Sequence, residues 1–141
     1  FIITNEKKIK IVITADADGQ HIAEYVKKFL KETNKYYCVV GIRNNFNRVS
    51  EYIISFISKL FYNVKDPICG MKLYNVQKMK NKNLIFKSKK DYCGMFFFKC
   101  YEKKDVTNIE IKVRKKNKIS SYGSGLLANY SILKSFTSSI L

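Results

Sequence analysis

Ile9-Lys10-Ile11-Val12-Ile13-Thr14 runs directly into Ala15-Asp16-Ala17-Asp18-Gly19-Gln20-His21, and this junction decides the fold. The first part is short, β-branched and apolar on both faces. That pattern predicts a central strand, because a strand covered on both sides loses its polar alternation. The second part replaces it with turn chemistry: two carboxylates, a glycine that lets the backbone bend, and an amide.

Working outward, apolar residues recur at helical spacing as Ile22, Tyr25, Val26, Phe29 and Leu30, with lysines on the opposite side. Residues 36–42 form another apolar strand, closed by Gly41-Ile42-Arg43 and a polar loop with Asn44, Asn45 and Asn47. A second amphipathic helix carries Ile53, Phe56, Ile57, Leu60 and Phe61 on one stripe. The expectation is that this stripe faces the core; the alternative is that it lies on a membrane. Asp66-Pro67 stops the helix, since the residue before proline is pushed away from helical geometry. Residues 71–74 read as a short strand and residues 91–101 as a buried helix. Residues 108–114 alternate, with Ile109, Ile111 and Val113 on one side and Glu110, Lys112 and Arg114 on the other. After a loop at 115–124, Leu126, Leu127, Tyr130, Leu133 and Phe136 mark a last helix. No repeat or linker interrupts the series, so residues 1–141 are expected to be a single domain. Alternating strands and helices predict an α/β fold. In such sheets ligands collect beyond the carboxyl ends of the strands, where Asp16, Arg43 and Arg114 fall.

Hydrophobic residues make up 46% of the chain, with ten Tyr and ten Phe, enough for a real core. The 27 Lys and Arg against 11 acids give +16. That excess points to nucleic acid, an anionic membrane surface or phosphorylated substrates, or else to a solvated Lys/Asn-rich surface such as 78–82. Cys38, Cys69, Cys93 and Cys100 show no Cys-x-x-Cys pairing, and His21 is the one histidine. A zinc site is therefore not expected, and the cysteines read as reduced thiols of a cytoplasmic protein. Asn5, Glu6, Lys7 and Lys8 interrupt any apolar leader, and a chain opening on Phe1 is expected to be truncated or processed. No run reaches the ~18 apolar residues of a membrane-spanning helix.

Asp16 and Asp18, two residues apart in a loop leaving a strand, could both turn toward one cation, with Gln20 as a neutral oxygen ligand. Oxygen-rich sets suit Mg2+ or Mn2+, which bridge diphosphates and stabilise charge on a departing nucleoside diphosphate. The same residues also read as an ordinary turn capping the next helix. Arg43 and Arg114 could neutralise phosphates with forked hydrogen bonds or could form surface ion pairs. His21 and Asp91 each read as a base or as a helix cap.

Several segments together resemble a family. Residues 11–21 resemble the strand and Asp-x-Asp metal motif of family-2 glycosyltransferases, especially the dolichyl- and polyprenyl-phosphate sugar transferases. Val40-Gly41-Ile42-Arg43 resembles their Gly-x-Arg segment. Val64-Lys65-Asp66-Pro67-Ile68-Cys69-Gly70-Met71-Lys72-Leu73-Tyr74 is similar to their acceptor-side segment. Residues 109–114, then Ser121-Tyr122-Gly123 and Ala128-Asn129-Tyr130-Ser131-Ile132-Leu133, resemble their closing pattern. The resemblance implies a mixed, mainly parallel sheet with flanking helices, the C-terminal part of a nucleotide-diphosphate-sugar transferase (GT-A-like) fold. It implies an inverting hexosyltransferase, with Asp16, Asp18 and Gln20 on Mg2+ or Mn2+. Asp18 and Arg114 would be catalytic, and Arg43, Cys69, Gly70, Lys72, Arg114 and Ser121 would bind substrate. The partners would be a nucleoside-diphosphate sugar and a lipid-phosphate or glycan acceptor, and transfer to a lipid phosphate would need little general-base help because that phosphate is already anionic. The setting would be the cytoplasmic face of an anionic membrane, and no nucleic acid is expected. Fifteen residues precede Asp16, so the family's nucleotide-recognising half is expected to be missing from this chain. Ser120-Ser121-Tyr122 also lacks the Arg or Lys that often precedes the family's aromatic. A small basic nucleic-acid binder and an inactive transferase remnant are the competing expectations.

Overall fold

The computed structural model describes residues 9–16, 23–75, 77, 94–95, 98, 101–114 and 125–140. Its elements are β1 (Ile11–Thr14), α1 (Tyr25–Lys31), β2 (Cys38–Arg43), α2 (Val49–Tyr62), β3 (Lys72–Asn75), a 3-10 turn (Lys103–Asp105), β4 (Val106–Ile111) and α3 (Leu126–Ile140). The fold is α/β, a mixed sheet of four strands in the order β1-β3-β2-β4 with flanking helices. β3 pairs antiparallel with both β1 and β2, while β2 and β4 pair in parallel. β1, β2 and β4 therefore share one direction, and β3 alone is reversed between them.

β2 is the axis of the core. Its residues alternate: Cys38 and Val40 join Ile54, Val106, Ile132 and Phe136 beneath α2 and α3, while Val39 joins Tyr25, Phe29, Leu73 and Ile111 beneath α1. Period-two alternation along one strand thus feeds two cores, one on each face. Gly41 continues the strand where no side chain fits. A Cβ there would stand 3.0 Å from Cys69 Sγ, Ile111 Cδ1 and the Met71 carbonyl oxygen. α2 ends on Asn63 in the left-handed conformation (φ 59°), which asparagine tolerates better than most residues. The Asn63 amide donates to the Val106 carbonyl at 2.9 Å, and the Asn108 amide donates to the Asn63 carbonyl at 2.7 Å. That exchange fastens the end of α2 to β4.

Three expectations change. Among the described residues two of the three strand pairings are antiparallel, so the sheet is mixed but not mainly parallel. β1 pairs only with β3 among the described residues, and Ile11, Val12 and Ile13 are half-buried, so it is an edge of this sheet rather than a central strand. The α2 stripe faces outward: Ile53, Phe56, Leu60 and Phe61 are exposed, and Ser50, Glu51, Ile54 and Ser58 are buried. Ile57 is half-buried against the core. α3 buries Ala128, Ile132 and Phe136, packs Leu133 against the same core, and exposes Leu126, Leu127 and Tyr130 near its start. In α2, packing against a partner overrides the rule that the more apolar stripe turns inward. The bond from the Ser50 backbone N–H to Asn129 Oδ1 (3.0 Å) helps fix the rotation of α2. The buried helix expected at 91–101 lies mostly outside the described residues, although Met95, Phe98 and Tyr101 are buried.

Phe136→Ala is expected to cost about 3–5 kcal/mol, a core aromatic truncation. Phe56→Ser should stay within about 0.5 kcal/mol. Urea unfolding midpoints of the two variants check the rotation of α2, with Phe136 as the core reference; equal losses would contradict it.

Candidate functional site

Three strands with a common direction deliver their carboxyl ends to one edge of the sheet, and reversed β3 begins there. Thr14 is registered with Lys72, Val40 with Lys72, and Arg43 with Ile111. Asp16, Arg43, Gly70 and the 112–114 segment consequently gather along that edge. Arg114 is exposed just past β4. Its segment is held by α1, because the Lys112 backbone N–H donates to the Tyr25 hydroxyl at 3.0 Å.

An ion-pair network organises the edge. Arg43 Nε donates to Asp66 Oδ2 at 2.8 Å and Nη2 donates to Oδ1 at 3.0 Å, a forked arrangement that matches the planar guanidinium to the carboxylate. The Arg43 backbone N–H adds a third bond to Asp66 Oδ2 at 3.1 Å. Nη2 also reaches Glu51 Oε2 at 3.3 Å, and Arg48 Nη1 reaches Glu51 Oε1 at 3.3 Å. Two arginines thus face two carboxylates, and both carboxylates are buried. Burial works against the Arg43 charge, but the Asp66 hydrogen bonds and the Asp66 and Glu51 charges outweigh it. The guanidinium stays protonated above its ordinary range. These bonds give Arg43 a structural task; Nη1 takes no part in them.

Asp66 passes this anchorage on to the loop that follows it. Its Oδ1 accepts from the Cys69 backbone N–H at 3.2 Å, and its carbonyl accepts from the same N–H at 3.2 Å. The Met71 carbonyl then accepts from the Gly41 N–H at 2.9 Å, and the Gly70 carbonyl accepts from the Thr14 hydroxyl at 2.9 Å. Gly70 is thereby pressed against Asp16. A Cβ built on Gly70 would overlap Asp16 Cγ and both of its carboxylate oxygens. A larger residue at position 70 would push the exposed Asp16 carboxylate out of the space it occupies.

Cys69 is fully buried inside the loop, with its thiol 3.9 Å from the Met71 carbonyl oxygen. Burial, reinforced by the Asp66 charge, pushes the thiol up to about 11. Cys38, behind it in β2, is pushed up to about 12 by burial. Lys72 is buried at the first position of β3. Of the residues expected at a site, Asp16, Gly70 and Arg114 are at the accessible edge, whereas Arg43, Cys69 and Lys72 sit in its support. Asp18, Gln20, His21, Asp91 and Ser121 lie outside the described residues. Among the described residues no group of three or more His, Cys, Asp or Glu side chains is placed to hold a metal. Asp16 supplies one hard oxygen donor, suited to Mg2+ or Mn2+, and Asp18 and Gln20 follow it in the sequence.

Asp66 and Glu51 are the residues missed as site-builders. Asp66 reads locally as the stop before Pro67, and Glu51 as one acid in the first turn of a helix. Their roles depend on Arg43, 23 and 8 positions away. The Gly41-Ile42-Arg43 and Asp66-Pro67 pairings were each visible, but no local pattern joins them.

The chain matches no protein-family model, no curated protein and no solved structure.

Asp66→Ala should destabilise the fold by about 3–5 kcal/mol, because it leaves the partly buried Arg43 charge without its main partner. Thermal and urea unfolding measure this, and a loss below about 1 kcal/mol would contradict the network's role. At pH 8, Cys69 should hold roughly 100-fold less thiolate than an unshifted thiol. Iodoacetamide labelling mapped by peptide mass should therefore modify Cys38 and Cys69 slowly in the folded protein and readily in urea.

Proposed function

We propose that this chain is the metal- and acceptor-binding part of a metal-dependent, inverting glycosyltransferase working at an anionic membrane surface. The substrates would be a nucleoside-diphosphate sugar and a polyprenyl-phosphate, lipid-linked or glycan acceptor. The observation that carries this reading is the seating of the Asp16 carboxylate on Gly70, at the edge where three strands end. The Asp16 carboxylate, a hard oxygen donor, lies against the Gly70 backbone at the end of the sheet where α/β folds gather ligands. The resemblance of residues 11–21, 40–43 and 64–74 to family-2 glycosyltransferases supports the same reading, since residues 11–16, 40–43 and 64–74 meet there.

Asp16, with Asp18 and Gln20 that follow it in the sequence, would hold Mg2+ or Mn2+. When bound, that ion would neutralise the donor diphosphate and stabilise its departure as a nucleoside diphosphate. Arg114, exposed beside the loop, would bind donor or acceptor phosphates, with Ser121 assigned to the same duty by the resemblance. Asp18 and Arg114 carry the catalytic assignment. Arg43 acts as a positioning residue, because it holds Asp66 and through it Gly70. Buried Lys72 contributes positive charge behind the loop, and Cys69 packs it. In the transfer, an acceptor oxygen forms its bond to the anomeric carbon as the bond to the diphosphate oxygen breaks, inverting the centre. A phosphate acceptor is already anionic at neutral pH, so its attack needs no proton removed.

The +16 charge favours one competing reading, a nucleic-acid binder. Titration calorimetry with UDP or GDP, with and without Mn2+, separates the two. The expected result is Mn2+-dependent binding, weakened at least about 10-fold in Asp16→Ala and Asp18→Ala, the loss typical of a disturbed metal site. Gly70→Ala should weaken it to a similar degree by displacing the Asp16 carboxylate. Absence of Mn2+-dependent binding, with salt-sensitive binding of single-stranded oligonucleotides unaffected by Asp16→Ala, would overturn the proposal.

A further inference from the structure

α2 is amphipathic the wrong way round for a helix whose outer side meets water. Val49, Tyr52, Ile53, Phe56 and Leu60 recur at spacings of three and four along a single outward stripe, and Phe56 is 69% exposed. The inward side carries Ser50, Glu51, Ile54 and Ser58. The Ser50 and Ser58 hydroxyls are buried without a hydrogen-bond partner among the described residues. The side of α2 turned away from the core is thus the more apolar one.

α3 extends this surface. The Ser50–Asn129 bond sets the first turns of the two helices side by side. The first turn of α3 presents Leu126 and Leu127, 88% and 82% exposed, followed by exposed Tyr130. An apolar face built from large side chains on two adjoining helices exceeds the scattered exposure of an ordinary surface and marks a contact.

The charges around it select the occupant. Lys59, Lys65 and Lys134 are exposed on or beside these helices. The one acid of α2, Glu51, is buried on Arg43 and Arg48, and α3 has no acidic residue. A second copy of the chain would bring another +16 to the contact and be repelled. An anionic lipid surface is instead attracted by the same charge, and it accepts aromatic and aliphatic side chains at the boundary of headgroups and acyl chains. No described helix is long and apolar enough to cross a membrane, and the geometry required here is that of a helix lying in the surface.

We infer that the outward face of α2, with the first turn of α3, is a docking surface for an anionic lipid bilayer. This deepens the proposed action at a membrane and rests on that part of it, while its evidence is separate from the metal edge.

Co-sedimentation with phosphatidylcholine vesicles, with and without phosphatidylglycerol, tests it. The chain should bind the phosphatidylglycerol vesicles, and Phe56→Ser/Leu60→Ser should weaken binding about tenfold or more. Lys59→Glu/Lys134→Glu should weaken it through charge alone, and more at low salt. All four positions are exposed, so circular dichroism melting should be unchanged and loss of fold is checked directly. Mn2+-dependent UDP or GDP binding measured on the same variants should be retained. Failure to bind anionic vesicles while nucleotide binding persists would overturn the docking surface and leave the transferase proposal standing. Vesicle binding without nucleotide binding would do the reverse. Dimers in light scattering that vanish in Phe56→Ser/Leu60→Ser would assign the face to self-association and overturn the inference.

Discussion

The forked contact between Arg43 and Asp66 carries the organisation of the molecule. It joins the last residue of the central strand to the turn after α2, and both partners lie largely out of water. A buried pair of this kind gains little net stability over an apolar alternative, but losing one partner is expensive. Its value is therefore positional. Asp66 holds the Cys69 N–H, the Met71 carbonyl closes on Gly41, and Gly70 is carried to Asp16. Glu51 and Arg48 complete the charge balance and tie the start of α2 into the same unit.

Two surfaces follow from this arrangement. The edge of the sheet exposes Asp16 and Arg114, residues whose chemistry suits a cation and phosphates. The polar network draws Glu51 inward, and with it the polar side of α2, leaving the Tyr52, Phe56 and Leu60 side outside. The same buried charges that build the site thus account for the apolar outer face of the helix. A lipid-phosphate acceptor would need both surfaces on one molecule, one to bind its phosphate and one to approach the bilayer holding it.

Much of the fold was legible in the residues. Continuous apolar runs located β1 and β2, the alternation at Ile109 and Ile111 located β4, and Asp66-Pro67 ended α2 within a few residues of its observed stop at Tyr62. The shared placement of Asp16, Arg43 and Arg114 at strand ends was also legible, since it needs only the fold class. Helix rotation was not. Apolar periodicity reports that a helix has two sides without saying which is covered, and α2 buries the side chosen by Arg43 and Asn129. The duty of Arg43 was hidden for a similar reason. An arginine after a strand reads alike whether its partner is a ligand phosphate or an aspartate 23 residues later.

The central claim is that the Asp66-anchored loop sets Gly70 against a carboxylate that binds the metal of a diphosphate. Paramagnetic broadening of backbone amide NMR signals by Mn2+ and a nucleoside diphosphate tests it most directly. The account predicts selective loss of the Asp16 and Gly70 signals at low Mn2+, with the Lys59 and Lys134 signals intact. Broadening that spares Asp16 and Gly70, or spreads evenly over the surface, would contradict it.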